Sequence, residues 1–292
     1  MKDIGYRLYG KILKGLCPLL SDKTYLKLLF KHRTGYSLNL EFPQTFNEKL
    51  QWLKLNDIHS EYTQMVDKIE AKKYVASLIG EKYIIPTIGI WNSVDEIEWD
   101  KLPNQFVIKL SSDSGGVVVC KDKRKLDINK AKAKLTKGVS KNYYIYNKEY
   151  PYKNIKPRIL AEQYMEDNKT KELRDYKFFC FNGIPQIFKI DYDRFINHNA
   201  NYYDIEKNLL PFGEVICPPN HNKTIDFPSN FNEMVMIARK LAQSCPFVRV
   251  DLYNVNGNIY FGEITFFPAS GMGKFTSLDW DYKLGKMIQL PK

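Results

Sequence analysis

The stretch "FVRVDLYNVNGNIYFGEITFF", residues 247–267, constrains this chain more than any other. Two runs of β-branched and aromatic residues flank Asn-Gly turn chemistry, which is the pattern of a β-hairpin. Yet the strands carry Arg249, Asp251 and Glu263. A three-residue loop at 256–258, with Gly257 in the left-handed region, sets Asp251 opposite Glu263 and puts Arg249 and Thr265 on the same face. Bare carboxylates directly opposed on paired strands repel each other. A cation is therefore expected between them, and a small cluster of hard oxygens suits Mg²⁺. An exposed hairpin face carrying unrelated acids is the alternative at this point.

Charge and cysteine usage narrow the setting. The 292 residues carry a net charge of +11, which implies polyanionic company such as nucleotide phosphates, acidic sugars or an anionic membrane face. No RNA-recognition, zinc-finger or helix-turn-helix signature accompanies that charge, which argues against nucleic acid. The five cysteines (17, 120, 180, 217, 245) are scattered singly, against a zinc site or disulfide framework and in favour of a reducing cytoplasm. The four histidines form no motif. The start, "MKDIGYRLYGKILKGL", has no clean signal-peptide core, and no apolar run reaches membrane-spanning length.

Strand-rich and helical stretches are mixed along the chain, which indicates α+β. Residues 46–56 and 62–79 read as helices, and "YIIPTIGIW" (83–91) opens strand territory. A Lys-rich helix, "DINKAKAKLTKG", is expected to stop at its glycine. Its lysines read as a solvated face. "DYKFFCFNGIPQIFKIDYDRF" holds two strands around Asn182-Gly183. Near the N-terminus, Ile4, Leu8, Ile12 and Leu16 make an apolar stripe on a basic helix. Either the stripe packs on the body, or it contacts a membrane surface or lipid-linked substrate.

The chemistry gathers after residue 104. Lys109 ends the buried-looking strand "FVIKL" and is followed by Ser111, Ser112, Asp113, Ser114, Gly115 and Gly116. Small residues let backbone N–H groups close on phosphate oxygens while a nearby lysine supplies charge. Neither a Walker A sequence nor GxGxxG is present.

The succession "FVIKL", the small-residue loop, "AEQYM", "DYKFF" and "RVD…GEIT" resembles the ATP-grasp ligases. "FNEKLQWLKL", "DYKFFCFNG", "FVRVDLYNVNG", "IYFGEITFFPASG" and "WDYKLG" resemble specifically the TupA-like group, associated with cell-surface polysaccharide and teichuronopeptide synthesis. The likeness runs from about residue 40 to the end. It implies an ATP-grasp fold with an N-terminal lobe (1–103), a lid lobe (104–158) and a C-terminal lobe (159–292). ATP would lie between the last two.

The resemblance also implies roles. Lys109 and Lys68 would hold ATP phosphates with Ser111, Ser112, Ser114, Gly115 and Gly116. Glu162 would accept from the adenine amino group, with Gln163, Tyr164 and Met165 along the ring edge and Asp175 on the ribose. Asp251, Glu263 and Thr265 would bind Mg²⁺ as one site, and Arg249 would steady the transferring phosphate. Lys177, Arg194, Ser270 and Gly271 are substrate candidates, although Lys177 and Arg194 also read as surface or packing cations. Lys68 also reads as a helix-surface lysine and Glu162 as a strand-end acid. Two positions depart from the family pattern: an acid, Asp113, in the phosphate loop, and Thr265 where Asn is common.

The activity implied is carboxylate–amine ligation with ATP and Mg²⁺. Its substrates would be an acidic glycan, small or lipid-linked, and an amine. The same residues leave two rivals open: a glycosyltransferase using a nucleotide sugar with Mg²⁺, and a non-catalytic binder of anionic polymer.

Overall fold

The computed structural model describes residues 2–112, 116–169, 171–193, 198–243 and 245–292, with side chains from residue 5 onward. Two antiparallel sheets carry the architecture. Strands β1 (Thr87–Trp91), β2 (Phe106–Leu110), β3 (Val118–Cys120) and β4 (Ile159–Gln163) form one, in the order β1-β4-β2-β3. Strands β5 (Asp175–Phe181), β6 (Ile184–Tyr192), β7 (Asn199–Asp204), β8 (Phe247–Val255) and β9 (Asn258–Thr265) form the other, in the order β7-β6-β5-β8-β9.

The first sheet corrects the lobe boundaries expected at 104 and 158. β4 pairs with both β1 and β2, so segments assigned to three lobes share one sheet. Phe106, Ile108, Leu110, Ile159 and Ala161 pack there with Trp99, Ala131 and Leu135 in a core of their own. This four-stranded unit thus runs from Thr87 to Gln163. Residues 1–103 do not share one core either: Phe46, Leu50, Tyr62, Met65 and Val75 pack with Phe178, Val250 and Ile264 of the second sheet, while Leu13, Cys17, Tyr25, Leu26 and Phe30 form a cluster of their own. Contact chemistry, which residue order does not show, set these limits.

Helix ends follow their caps where the sequence supplies them. Phe46–Asn56 starts with a capping box, Thr45 and Glu48 each serving the other's backbone N–H. The Lys-rich helix Ile128–Val139 runs through Gly138, which is buried, and ends on Ser140 instead. The helix read over 62–79 is broken into Glu61–Val66 and Glu70–Ile79. Asp67 makes the break, its Oδ1 accepting from Ile69 N–H at 2.8 Å and Glu70 N–H at 3.2 Å.

The apolar stripe of the first helix, Lys2–Leu16, does not pack on the body. Leu13 and Cys17 do, against Tyr25, Leu26 and Phe30 of helix Asp22–Thr34. Leu8, Ile12 and Leu16 remain 55%, 51% and 42% exposed. The Ile4 side chain lies outside the described residues.

In the closing hairpin the opposed acids are found: Asp251 pairs with Glu263 and Arg249 with Thr265. The turn differs from the expected one. Asn256 and Gly257 form a two-residue loop with φ of 52° and 81°, as a type I′ turn requires. Val255 then pairs with Asn258, and a bulge between Asp251 and Leu252 restores the register at the acids. Gly262 is the extra residue of that bulge, and a Cβ there would come within 3.0 Å of the Asp251 carbonyl oxygen.

Candidate active site

Alternation along four neighbouring strands lays a charged layer on one face of the second sheet. Each strand supplies two polar residues at i and i+2: Lys189 and Asp191, Asp175 and Lys177, Arg249 and Asp251, Glu263 and Thr265. That spacing aims both at the same side. The register aligns Lys189, Lys177, Asp251 and Glu263 across the sheet. Lys189 and Asp191 had not been singled out from the sequence, although "FKIDY" carries the same signal.

The cation between the opposed acids comes first from the protein. Arg249 Nε and Nη2 donate to Asp251 Oδ1 and Oδ2 at 2.7 and 2.8 Å. Nη2 also reaches Glu263 Oε1 at 2.9 Å and Thr265 Oγ1 at 3.2 Å. Lys177 Nζ lies 2.6 Å from Asp251 Oδ2 and 3.1 Å from Asp175 Oδ2. Burial disfavours the Lys177 ammonium, but Asp175, Asp251 and Asp191 outweigh it and raise its pKa above the ordinary value. Lys177 is a buried counter-ion and not the surface cation the sequence also allowed.

The two acids are not equivalent. Asp251 is 1% exposed with both oxygens engaged, whereas Glu263 is 34% exposed and its Oε2 faces Lys68 Nζ at 3.9 Å. The donor set still fits a hard cation in kind. Glu263 and Thr265 stand on a cavity wall; Asp251 could join them only by releasing Arg249 or Lys177.

A second cavity, about 220 Å³, lies beside β2 and β4. Val107, Val119, Met165 and Leu173 give it apolar walls, and Lys109, Lys121, Lys171, Glu162 and Tyr253 of β8 line it as well. Apolar walls of this kind suit a flat aromatic base, and the lysines beside them suit its phosphates. Val107 stands opposite Glu162, so Lys109, two residues on, meets that acid on the same face, Nζ 2.6 Å from Oε2. Lys72 takes Oε1 at 2.7 Å and also donates to the Ile85 carbonyl. Burial raises the Glu162 pKa, but Lys109 and Lys72 outweigh that and hold it below the usual range.

Glu162, expected at the adenine, lines this cavity with its carboxylate paired to two lysines. The Gln163 N–H donates to Pro86 O at 3.0 Å, while Tyr164 and Met165 stand on the cavity wall. Asp175 is buried in the charged layer at 3% exposure, and Glu172 lines the cavity instead. Lys72 was missed, although a lysine on a helix face shared with Val75 and Ile79 was a signal that it had a buried partner.

Lys68 owes its place to the Asp67 break. Its backbone N–H donates to the Ser111 carbonyl at 3.2 Å, fastening it to the loop after β2. Ser111 is an anchor, not a phosphate cradle: its N–H donates to Arg158 O and its hydroxyl accepts from Arg158 N–H. Ser112 Oγ is buried and has no hydrogen-bond partner among the described residues, which leaves it for a ligand. Gly116 is buried; Asp113, Ser114, Gly115 and Arg194 lie outside the described residues.

The sequence matches the model of the TupA-like ATP-grasp family over residues 48–289. The chain belongs to the TupA-like ATP-grasp family. No curated protein matches it. Among solved structures it is similar to D-alanyl-alanine synthetase A from Vibrio cholerae, at 14% identity and TM-score 0.46, covering 84% of this chain and 69% of that one. A D-alanine-D-alanine ligase from Helicobacter pylori gives 14% and 0.40, covering 83% and 69%. Phosphoribosylamine–glycine ligase from Thermotoga maritima gives 13% and 0.41, covering 72% of this chain and about half, 51%, of its own.

In this TupA-like ATP-grasp chain a larger cavity, about 850 Å³, adjoins the charged layer. Its walls include Lys68, Arg249, Glu263 and Thr265, together with Arg33 and Glu149. Ser270 also lines it, but its carbonyl and hydroxyl oxygens both accept from the buried Lys54 ammonium, at 2.8 and 2.9 Å. Gly271 packs against Leu50 and Gln51, where a Cβ would clash at 2.5 Å, so its role is packing. Glu149 has no ion-pair partner within 4 Å among the described residues. Burial raises its pKa, against the pull of Lys54.

Burial raises the Glu263 carboxyl too, but Lys68, Arg249, Lys177 and Lys109 outweigh it and lower the pKa from 4.5 to about 2. A depressed carboxyl contributes stability above its unfolded pKa and loses it as pH falls through the folded value. Wild-type protein should therefore lose stability between 4.5 and about 2, and Glu263→Gln should flatten that limb by up to one proton. Urea unfolding across this range measures the slope. An unchanged slope would mean Glu263 is not held by these cations.

Proposed function

We propose that the protein is an ATP-dependent carboxylate–amine ligase acting on an acidic sugar or amino acid in surface-polysaccharide synthesis. One observation carries the reading: Lys68 faces Glu263 at 3.9 Å on the wall of the large cavity, while its backbone N–H is fastened to Ser111, two residues beyond Lys109 of the smaller cavity. A phosphate at that point would be in reach of both cavities.

A carboxylate oxygen of the acid attacks the γ-phosphorus, forming an O–P bond as the β,γ-bridging P–O bond breaks and ADP leaves. The amine nitrogen then attacks the acyl carbon, phosphate leaves, and nitrogen loses a proton. Lys68 and Lys109 balance phosphate charge, and Arg249 is placed to stabilise the transferring group and the oxyanion. Glu263 with Thr265 would hold Mg²⁺, which when bound neutralises phosphate charge. Glu149, without an ion-pair partner on the cavity wall, suits the departing proton. The polysaccharide setting rests on the family.

Calorimetry with ATP, ADP and nucleotide sugars, each with Mg²⁺, tests the reading. ATP and ADP should bind with a 1:1 stoichiometry, and uronic acids plus amino acids should yield an amide by mass. Preference for a nucleotide sugar, or no nucleotide binding, would overturn it.

A further inference from the structure

We propose that the first helix and the apolar rim of the large cavity dock on an anionic lipid bilayer, so that the cavity opens at a membrane surface. The helix is held by Leu13, by Cys17 just beyond it, and by Tyr6 stacked on His32 at 3.9 Å. That leaves Leu8, Ile12 and Leu16 facing outward at 55%, 51% and 42% exposure, with Leu19 at 80% just beyond. The first three recur every fourth residue and form one ridge. Scattered exposed leucines need no explanation, but a row of them does.

Charge identifies the occupant. Arg7, Lys11 and Lys14 are exposed on the same helix, and no acid occurs from residue 5 to 21. A second copy would bring the same cations and the same +11 net charge against them. Hydrocarbon for the ridge and lipid phosphate for the cations are what an anionic bilayer supplies.

The rim is an independent observation. Val215 and Ile216 are 59% and 84% exposed, yet both line the large cavity, as does Tyr6 of the first helix. Their loop is pinned before Ile216, where Val215 N–H donates to Lys274 O at 2.8 Å and Glu214 bridges to Phe275, and after it, where Pro218 O accepts from Ala200 N–H at 3.4 Å. Two apolar side chains are thus held outward beside the opening that the helix also borders. No helix among the described residues is long and apolar enough to cross a membrane, so the contact would be peripheral.

The test is co-sedimentation of the full chain with phosphatidylcholine vesicles, with and without phosphatidylglycerol, at low and high salt, alongside sedimentation velocity. Binding should require the anionic lipid and fall at least tenfold at high salt. Lys11→Glu and Lys14→Glu should each weaken it by about fivefold or more. Leu8→Glu with Ile12→Glu, and separately Ile216→Ser, should weaken it at least tenfold, with ATP calorimetry unchanged in the Leu8/Ile12 variant. No binding at low salt would overturn the proposal. So would binding indifferent to the ridge and rim, or a dimer abolished by Ile12→Glu. None of these outcomes bears on whether ATP binds.

Discussion

Asp251→Asn should lower the unfolding free energy by about 3–5 kcal/mol, because it removes the main counter-charge of the buried Arg249 and one of three carboxylates around the buried Lys177. Glu263→Gln, one strand away and opposite in the pair, should cost less at neutral pH, losing only what its depressed carboxyl contributes, because Arg249 keeps Asp251 as its partner. Its loss should fall on turnover, on the order of 10²-fold or more, if phosphate charge is neutralised there. Urea unfolding and ATP-dependent amide formation, measured on both variants, separate the two acids. Equal loss of stability in both would show that the burial difference, 1% against 34% exposure, does not set their roles. Full activity in Glu263→Gln would remove Glu263 from the site.

Glu162→Gln should be the second severe change. It leaves Lys72 and Lys109, which now lie 2.7 and 2.6 Å from the same carboxylate, facing each other without it. The expected loss is again about 3–5 kcal/mol. Removing one of the cations as well, in Lys72→Met/Glu162→Gln, should recover a large part of it, since the two positions are directly coupled. Nucleotide phosphates could take the missing carboxylate's place beside Lys109. Mg·ATP should therefore raise the melting temperature of Glu162→Gln more than that of wild type. A double variant no more stable than the single, or equal thermal shifts, would show that the lysines are not held through Glu162.

Both variants test what sequence reading treats alike and the fold separates. The family, the α+β character and the opposition of Asp251 to Glu263 were legible in the chain. Strand alternation and turn chemistry are local, so i and i+2 polar pairs in β8 and β9 announce a shared face without any tertiary information. Even there the register came out through a two-residue turn plus a bulge at Gly262, instead of the three-residue loop that local pattern suggested. A loop and a bulge each add one residue, and sequence alone does not say where the extra one goes.

What the tertiary structure decided was which charges meet. Lys177, Lys72 and Glu162 lie far apart along the chain from some of their partners, and their roles follow from burial, which makes pairing obligatory. The acid expected at the adenine is paired to two lysines, and the lysine expected at the surface became the counter-ion of three aspartates. The N-terminal stripe shows the same limit from the other side. The sequence determined that one helix face is apolar; only the packing of Leu13 and Cys17 against Tyr25 and Phe30 decided that this face points outward.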